Sequence, residues 1–275
     1  MRTIVRSSLS LALAAALLTS AGSALAADEA RVRVLHASPD APAVDVQLDG
    51  QPVEALTNVP FGAISDYLKV PAGEHQVTVY PTGTTTTAVI DAAVTVEAGM
   101  SYTIAATNPV ASIAPEVIVD DPTMKSGSAM VRVVHLGPDA PAVDVAVDGS
   151  SPADAVVKGL AFPNATGYLA LDPGTYDLEV RLAGTSDVGL QLDPLMLDAG
   201  KAYSAFAIGS AAGEPLGGNE LRVLVAIDAM ALPDTSTAGP TETPVGNPAL
   251  GVVLAIAAIA GFSLLVRRQA AVRTR

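Results

Sequence analysis

Histidine and aspartate residues recur with one spacing in two separate stretches of the chain. In each stretch an Asp lies four residues after the His, and a second Asp lies nine residues after it. One imidazole and two carboxylates suit a divalent ion such as zinc or manganese. The pattern raises the hypothesis of a metal site in each stretch, formed by His36, Asp40 and Asp45 and by His135, Asp139 and Asp144.

Strand periodicity argues against this hypothesis. His36 shares the core-facing side of a predicted strand with Val34, whereas Asp45 lies on the outward side of the next predicted strand. Groups on opposite faces rarely converge on one ion. We therefore favour a structural interpretation, in which His36 bonds the turn held by Asp40. Asp45 then pairs with Arg33 or caps a loop.

Carboxylates near the middle of the chain suggest calcium instead. Asp120 and Asp121 are adjacent, and calcium prefers hard oxygen ligands of this kind. No loop, however, has the Asp-x-Asp-x-Asp-Gly spacing of an EF-hand. We predict no cofactor, with calcium kept as the alternative. The candidate metal-binding residues are Asp120, Asp121, His36, Asp40, His135 and Asp139.

The sequence lacks the usual signatures of an enzyme. It contains no Gly-x-Ser-x-Gly, His-Glu-x-x-His, Walker or dinucleotide-binding motif. It has no Cys, which excludes thiol nucleophiles, and no Trp to form the aromatic platform that sugar clefts normally carry. We predict that the protein is not an enzyme.

Negative charge is concentrated between the two ends of the chain. All 28 acidic residues lie between Asp28 and Glu242, together with only nine of the 15 basic residues. Such a surface repels the phosphate backbone of nucleic acids. We therefore exclude nucleic acid as a partner and expect a soluble acidic exterior on this part of the protein.

Short alternating stretches separated by Gly and Pro predict an all-β fold. Val32 and Val34 face one side of the first predicted strand, and Arg33 and Leu35 face the other, the pattern of a half-buried strand. Further strands are predicted at residues 67–70, 76–80, 88–96, 101–107 and 116–119. Seven or so short strands in about 90 residues are typical of an antiparallel sandwich.

The same unit occurs twice. His36 and His135 are 99 residues apart, whereas Tyr102 and Tyr203 are 101 apart, so the second copy gains two residues in a loop. The linker between the copies is short and flexible, consistent with two domains in series. We predict two tandem immunoglobulin-like antiparallel β-sandwich domains, at residues 30–122 and 130–231, joined by a linker at residues 123–129.

Both ends of the chain carry membrane signals. Residues 1–26 have a basic start, an apolar middle and a terminal Ala24-Leu25-Ala26, which together predict a cleaved signal peptide. Residues 249–266 are uncharged and long enough for a transmembrane helix, and the basic tail at residues 267–275 favours a cytoplasmic C-terminus. Pro and Thr in residues 232–248 predict a stalk. We expect a single-pass cell-membrane protein with extracellular N-terminal domains.

The start of the stalk offers a second mode of attachment. Leu232-Pro233-Asp234-Thr235-Ser236 resembles a sortase sorting signal, which would link the protein to the cell wall. Ser236 replaces the Gly of that signal, and the distance to the apolar stretch is longer than expected. Membrane anchoring is the favoured prediction, with cell-wall attachment as the alternative.

The repeated sequence has three recognisable segments. A strand is followed by His-Ala-Ser-Pro-Asp-Ala-Pro-Ala-Val-Asp-Val, here beginning at His36, and later by Pro-Ala-Gly and Ala-Gly-x-x-Tyr segments. In these segments the chain resembles the domain of unknown function 4397 family. The resemblance covers both copies, although the second has Leu136 and Gly137 where the family has Ala and Ser, and Asp172-Pro173-Gly174 where the family has Pro-Ala-Gly. The resemblance implies a fold and an envelope location, and no chemistry.

These observations favour a non-catalytic function. We predict a cell-envelope or surface protein that presents two β-sandwich modules for interaction or adhesion. Its partners would be the membrane, through the C-terminal helix, and an extracellular protein or wall component. The alternative is an extracytoplasmic ligand-binding or calcium-binding module that acts as a sensor.

Overall fold

The computed structural model describes residues 29–212 and 218–230. The predicted signal peptide, stalk, sorting signal, transmembrane helix and basic tail lie outside these residues. Within the two ranges, no helix is long and apolar enough to cross a membrane.

The first repeat contains eight strands in two four-stranded sheets. We call the sheet with strand order β4-β1-β7-β8 its facing sheet and the sheet with order β3-β2-β5-β6 its outer sheet. The strands are β1 (Glu29–His36), β2 (Val44–Leu48), β3 (Gln51–Pro52), β4 (Leu68–Pro71), β5 (Gly73–Pro81), β6 (Ile90–Val96), β7 (Ser101–Thr107) and β8 (Ala114–Val119).

The second repeat has the same plan with a more broken outer layer. Its facing sheet has the order β12-β9-β17-β18, and its outer layer is divided into β11-β10-β14-β15 and the pair β13-β16. The strands are β9 (Ala129–His135), β10 (Val143–Val147), β11 (Val157–Leu160), β12 (Leu169–Leu171), β13 (Gly174–Tyr176), β14 (Leu178–Leu182), β15 (Val188–Gln191), β16 (Leu195–Leu197), β17 (Lys201–Ile208) and β18 (Arg222–Met230).

Alternating apolar side chains of the two sheets meet to form each sandwich core. In the first repeat, Val32 and Ile104 of the facing sheet belong to one buried cluster with Val46 and Val79 of the outer sheet. Burial of these branched side chains is the main stabilising contribution, at about 25 cal/mol per Å² of apolar surface. The predictions of an all-β fold and of a repeated β-sandwich are confirmed.

One strand pair in each repeat departs from the predicted antiparallel arrangement. β1 pairs in parallel with β7, and β9 pairs in parallel with β17, whereas the other neighbouring strands pair antiparallel. Parallel neighbours need a long crossover connection rather than a hairpin. Here the crossover from β1 to β7 passes through the outer sheet, so local turn signals did not reveal it.

The facing sheets of the two repeats pack against each other. The prediction that β1 is half-buried is wrong, because Arg33 and Leu35 on its supposed solvent side are only 2% and 0% exposed. An apolar cluster between the facing sheets covers this side, and we call it the inter-repeat core. Its buried members are Leu35, Ala37, Ala105, Ile118, Val134, Leu136, Phe206 and Ile208.

Candidate functional site

Four buried charged residues lie between the facing sheets, beside the inter-repeat core. Arg33 (β1) and Asp120 (after β8) come from the first repeat, and Arg132 (β9) and Asp228 (β18) come from the second. Their side chains are no more than 3% exposed. The guanidinium of Arg33 bonds Asp228, and that of Arg132 bonds Asp120, so these two hydrogen-bonded ion pairs cross between the repeats. Longer ion pairs of 3.8 and 3.9 Å join Arg33 to Asp120 and Arg132 to Asp228 within each repeat. We call this group the charge network.

Each arginine is further satisfied by hydrogen bonds. Arg33 donates from Nε to Thr103 Oγ1 at 2.8 Å and from Nη1 to the Ile227 carbonyl at 3.2 Å. Arg132 makes the corresponding bonds at 2.6 Å each, from Nε to Ser204 and from Nη1 to the Val119 carbonyl. Since buried charges are tolerated only when paired and hydrogen-bonded, this environment explains how two arginines remain between the sheets.

The second oxygen of each aspartate accepts hydrogen bonds from its own repeat. Asp120 Oδ2 accepts from the hydroxyls of Tyr67 at 2.6 Å and Thr103 at 2.7 Å. Asp228 Oδ2 accepts from Tyr168 and Ser204, both at 2.6 Å. Burial raises the pKa of both tyrosines well above the usual range, which keeps the hydroxyls protonated as donors. The charge network is therefore neutral overall and internally bonded.

The adjacent carboxylates proposed as calcium ligands have different environments. Asp120 uses both oxygens within the charge network, whereas Asp121 is exposed. In residues 29–212 and 218–230, no group of three or more His, Cys, Asp or Glu side chains is placed to hold a metal ion. The structure thus gives Asp120 a role between the repeats, and calcium binding stays a prediction.

His36 and Asp40 bond different parts of the first repeat. His36 is fully buried, and its Nε2 donates to the Pro42 carbonyl at 3.0 Å, which fixes the turn after β1. Asp40 Oδ1 accepts from the Val110 backbone N–H at 2.6 Å, which ties that turn to the β7–β8 connection. Neither group is directed at a shared ligand.

The second repeat uses the same two residue types in the same way. His135 Nε2 donates to the Pro141 carbonyl at 3.2 Å. Asp139 accepts from the Ser210 hydroxyl at 2.7 Å and from the Ala211 backbone N–H at 2.8 Å. The recurring His and Asp therefore hold equivalent turns in both repeats.

Asp45 caps loops and does not pair with Arg33. Its carboxylate accepts from the backbone N–H groups of Asn58 at 2.7 Å and Gly83 at 3.0 Å, and these bonds lower its pKa. Asp144 makes an equivalent pair of backbone bonds in the second repeat, at 2.7 and 2.8 Å. Of the two structural roles considered for Asp45, the structure shows loop capping.

The histidines make stability depend on pH in opposite directions. Burial lowers the pKa of His36 and His135 despite the hydrogen bonds that they donate to carbonyls. The hydrogen bond from His75 to Asp49, at 2.7 Å, raises the pKa of His75. A lowered folded-state pKa means that the unfolded chain binds protons first as the pH falls, so the stability from neutral His36 and His135 is lost below about pH 6.5.

We expect the His36→Gln variant to lose part of this acid sensitivity. Between pH 7.5 and 5.5 the free energy of unfolding of the wild type should fall by up to about 1.4 kcal/mol per pH unit for each buried histidine. Urea denaturation at several pH values measures the slope, which should be shallower in His36→Gln. His75→Gln is the matched control and should give a steeper slope, because it removes a group whose contribution is lost as the pH rises. Equal slopes in all three proteins would contradict the assignment.

Sequence reasoning missed Arg33, Arg132 and Asp228 as members of a site. A signal was present, because Arg33 and Arg132 occupy equivalent positions 99 residues apart in a strongly acidic chain. Both also lie on the strand side opposite the sandwich core. A repeated basic residue on a predicted solvent face can instead mark an interface.

The fold and the charge network define a protein of two tandem β-sandwiches joined face to face through a buried, neutral polar centre. The chain belongs to the family described as Domain of unknown function (DUF4397), whose model matches residues 30–146 and 129–238. The resemblance seen in the sequence is thereby confirmed for both copies. No curated protein matches the chain.

Two solved structures show distant similarity. One is a family 26 carbohydrate-binding module from Eubacterium rectale in complex with maltoheptaose, at 9% identity and a TM-score of 0.22, covering 75% of this chain and 98% of that chain. The other is a leucine-rich repeat protein from Bacteroides thetaiotaomicron, at 12% identity and a TM-score of 0.18, covering 67% of this chain and 26% of that chain.

Proposed function

We propose that this protein is a non-catalytic cell-envelope protein that presents two immunoglobulin-like β-sandwiches, as one rigid unit, to an extracellular protein or a wall component. The observation that carries this proposal is the charge network. Its two crossed ion pairs and the inter-repeat core beside them hold the repeats in one relative orientation. A fixed orientation suits the presentation of a composite surface, because a rigid partner loses less entropy on binding.

The roles of the buried polar groups support a non-catalytic function. His36 and His135 donate to backbone carbonyls, and the nitrogens of His75 bond Asp49 and the Pro71 carbonyl. The arginines and aspartates of the charge network form ion pairs with one another. These residues stabilise loops and the joint between the repeats.

The proposed location follows from the two ends of the sequence. A signal peptide would export the repeats, and the apolar stretch at residues 249–266 would retain them at the membrane with the repeats outside. Protease added to intact cells should therefore digest the repeats. Their survival in intact cells, with digestion only after lysis, would overturn the proposed location.

Cross-linking on intact cells tests the proposed presentation. We expect the wild type to form a defined cross-linked species with a surface partner, and the Asp120→Asn variant to form less of it because its joint between the repeats is weakened. Asp121→Asn is the matched control and should behave as the wild type. If Asp120→Asn cross-links as efficiently as the control, a fixed orientation is not needed for binding. If calcium raises the melting temperature and Asp121→Asn abolishes the rise, the calcium-binding alternative is favoured.

A further inference from the structure

The contacts across the charge network are reciprocal. Each repeat supplies one arginine from its first strand and one aspartate from its last strand region, and each arginine bonds the aspartate of the other repeat. The supporting hydroxyls are likewise equivalent, since Thr103 and Ser204 occupy matching positions beside the arginines in β7 and β17. An interface of this kind between two identical subunits would be called isologous.

Charge alone does not select which repeats pair. A pair of first repeats would again bring two copies of Arg33 opposite two copies of Asp120, and a pair of second repeats would do the same with Arg132 and Asp228. In each case the charges would be balanced and crossed as they are here. The choice of partner must come from other contacts.

Side-chain volume in the inter-repeat core differs between the repeats. Ala105 in β7 is equivalent to Phe206 in β17. Ala105 pairs with Leu35, two residues after Arg33, and Phe206 pairs with Val134, two residues after Arg132. The 99-residue offset that relates His36 to His135 likewise makes Ala37 equivalent to Leu136. All four side chains are fully buried.

These differences favour pairing between unlike repeats. Phe206 packs against the first repeat, with its ring centre 5.5 Å from the Arg33 guanidinium carbon. A pair of first repeats would have Ala105 and Ala37 on both sides and would leave a void where Phe206 and Leu136 lie. A pair of second repeats would have two copies of Phe206 and Leu136 in the same space and would be overpacked. Both errors cost stability in a close-packed interior.

We propose that the facing sheet of the first repeat is a partner-selective docking surface for the facing sheet of the second repeat in another copy of the chain. When intramolecular docking is prevented, two chains pair by joining the first repeat of one to the second repeat of the other. The connection between the repeats permits this exchange, because residues 121–128 belong to no strand and can extend over about 26 Å.

The experiment uses two full-length variants, each with one damaged facing sheet. Ala105→Asp places a charge on the facing sheet of the first repeat and leaves the second repeat intact. Phe206→Asp does the converse. Analytical ultracentrifugation should show a 1:1 complex in the mixture, with an association constant at least about 100-fold higher than for either variant alone, as expected when a buried aromatic contact is regained.

The outcomes separate docking from folding. The matched control adds Ile104→Asp to the Phe206→Asp chain, because Ile104 neighbours Ala105 but faces the sandwich core. This change unfolds the first repeat that the mixture needs for docking and should abolish the complex. The proposal is overturned if the mixture forms no complex, or if either variant alone self-associates as strongly as the mixture. It is also overturned if Ala105→Asp unfolds the first repeat, as judged by hydrogen exchange of its core strands, because docking surfaces require repeats that fold when undocked.

Discussion

Replacing Asp120 with Asn is expected to lower the free energy of unfolding by about 3–5 kcal/mol, because it removes the carboxylate that the buried guanidinium of Arg132 bonds directly. The remaining carboxylate, that of Asp228, is 3.9 Å from Arg132 Nε. The bonds from Tyr67 and Thr103 converge on the Asp120 carboxylate and would also be weakened. Denaturation with guanidinium chloride, monitored by circular dichroism, measures the change in the free energy of unfolding. A loss of this size would be a large fraction of the stability of a typical domain.

Asp121→Asn provides a matched control for this prediction. The two carboxylates are adjacent, but Asp121 is exposed, so its substitution should change the free energy of unfolding by less than about 0.5 kcal/mol. Added calcium should not restore the stability of Asp120→Asn. Equal effects of the two substitutions would show that the charge network contributes little to stability.

The Phe206→Ala variant is expected to lose about 3–5 kcal/mol of stability through a different mechanism. Phe206 is fully buried in the inter-repeat core, and its removal creates a cavity that the stiff facing sheets can only partly close. Because the lost contacts join the repeats, we expect the thermal unfolding transition to broaden or split into two. Differential scanning calorimetry measures both effects.

Met196→Ala is the control for Phe206→Ala. Met196 is 67% exposed at the other side of the second repeat, so its truncation should shift the melting temperature little. A single sharp transition in Phe206→Ala, with a melting temperature equal to that of the control, would contradict a central role for the inter-repeat core.

Much of each sandwich could be predicted from the sequence because its signals are local. Alternation in β1 and the turn residues that follow it identified the strand, the turn and the buried position of His36. The parallel pairing of β1 with β7 and the burial of Arg33 depend on parts of the chain that are distant in sequence. The periodicity of a strand does not indicate whether a second sheet will cover its outward face.

Two of the three departures of the second repeat from the family pattern, at Leu136 and Gly137, have physical explanations. Leu136, where the family has Ala, fills the inter-repeat core and is fully buried. At Gly137, where the family has Ser, an added Cβ would lie 2.9 Å from the Leu221 side chain and 3.2 Å from the Gly209 carbonyl oxygen. The sequence showed the departures, but only the neighbouring loop and the opposite repeat explain them.

The placement of the charge network also determines how the joint responds to dissolved salt. Counterions screen exposed pairs such as Lys69 and Glu29, whose side chains are 76% and 55% accessible to solvent. They screen the pairs between the repeats much less, because those side chains are no more than 3% exposed. Added salt should therefore weaken the ion pairs of the acidic exterior more than the ion pairs that align the two repeats.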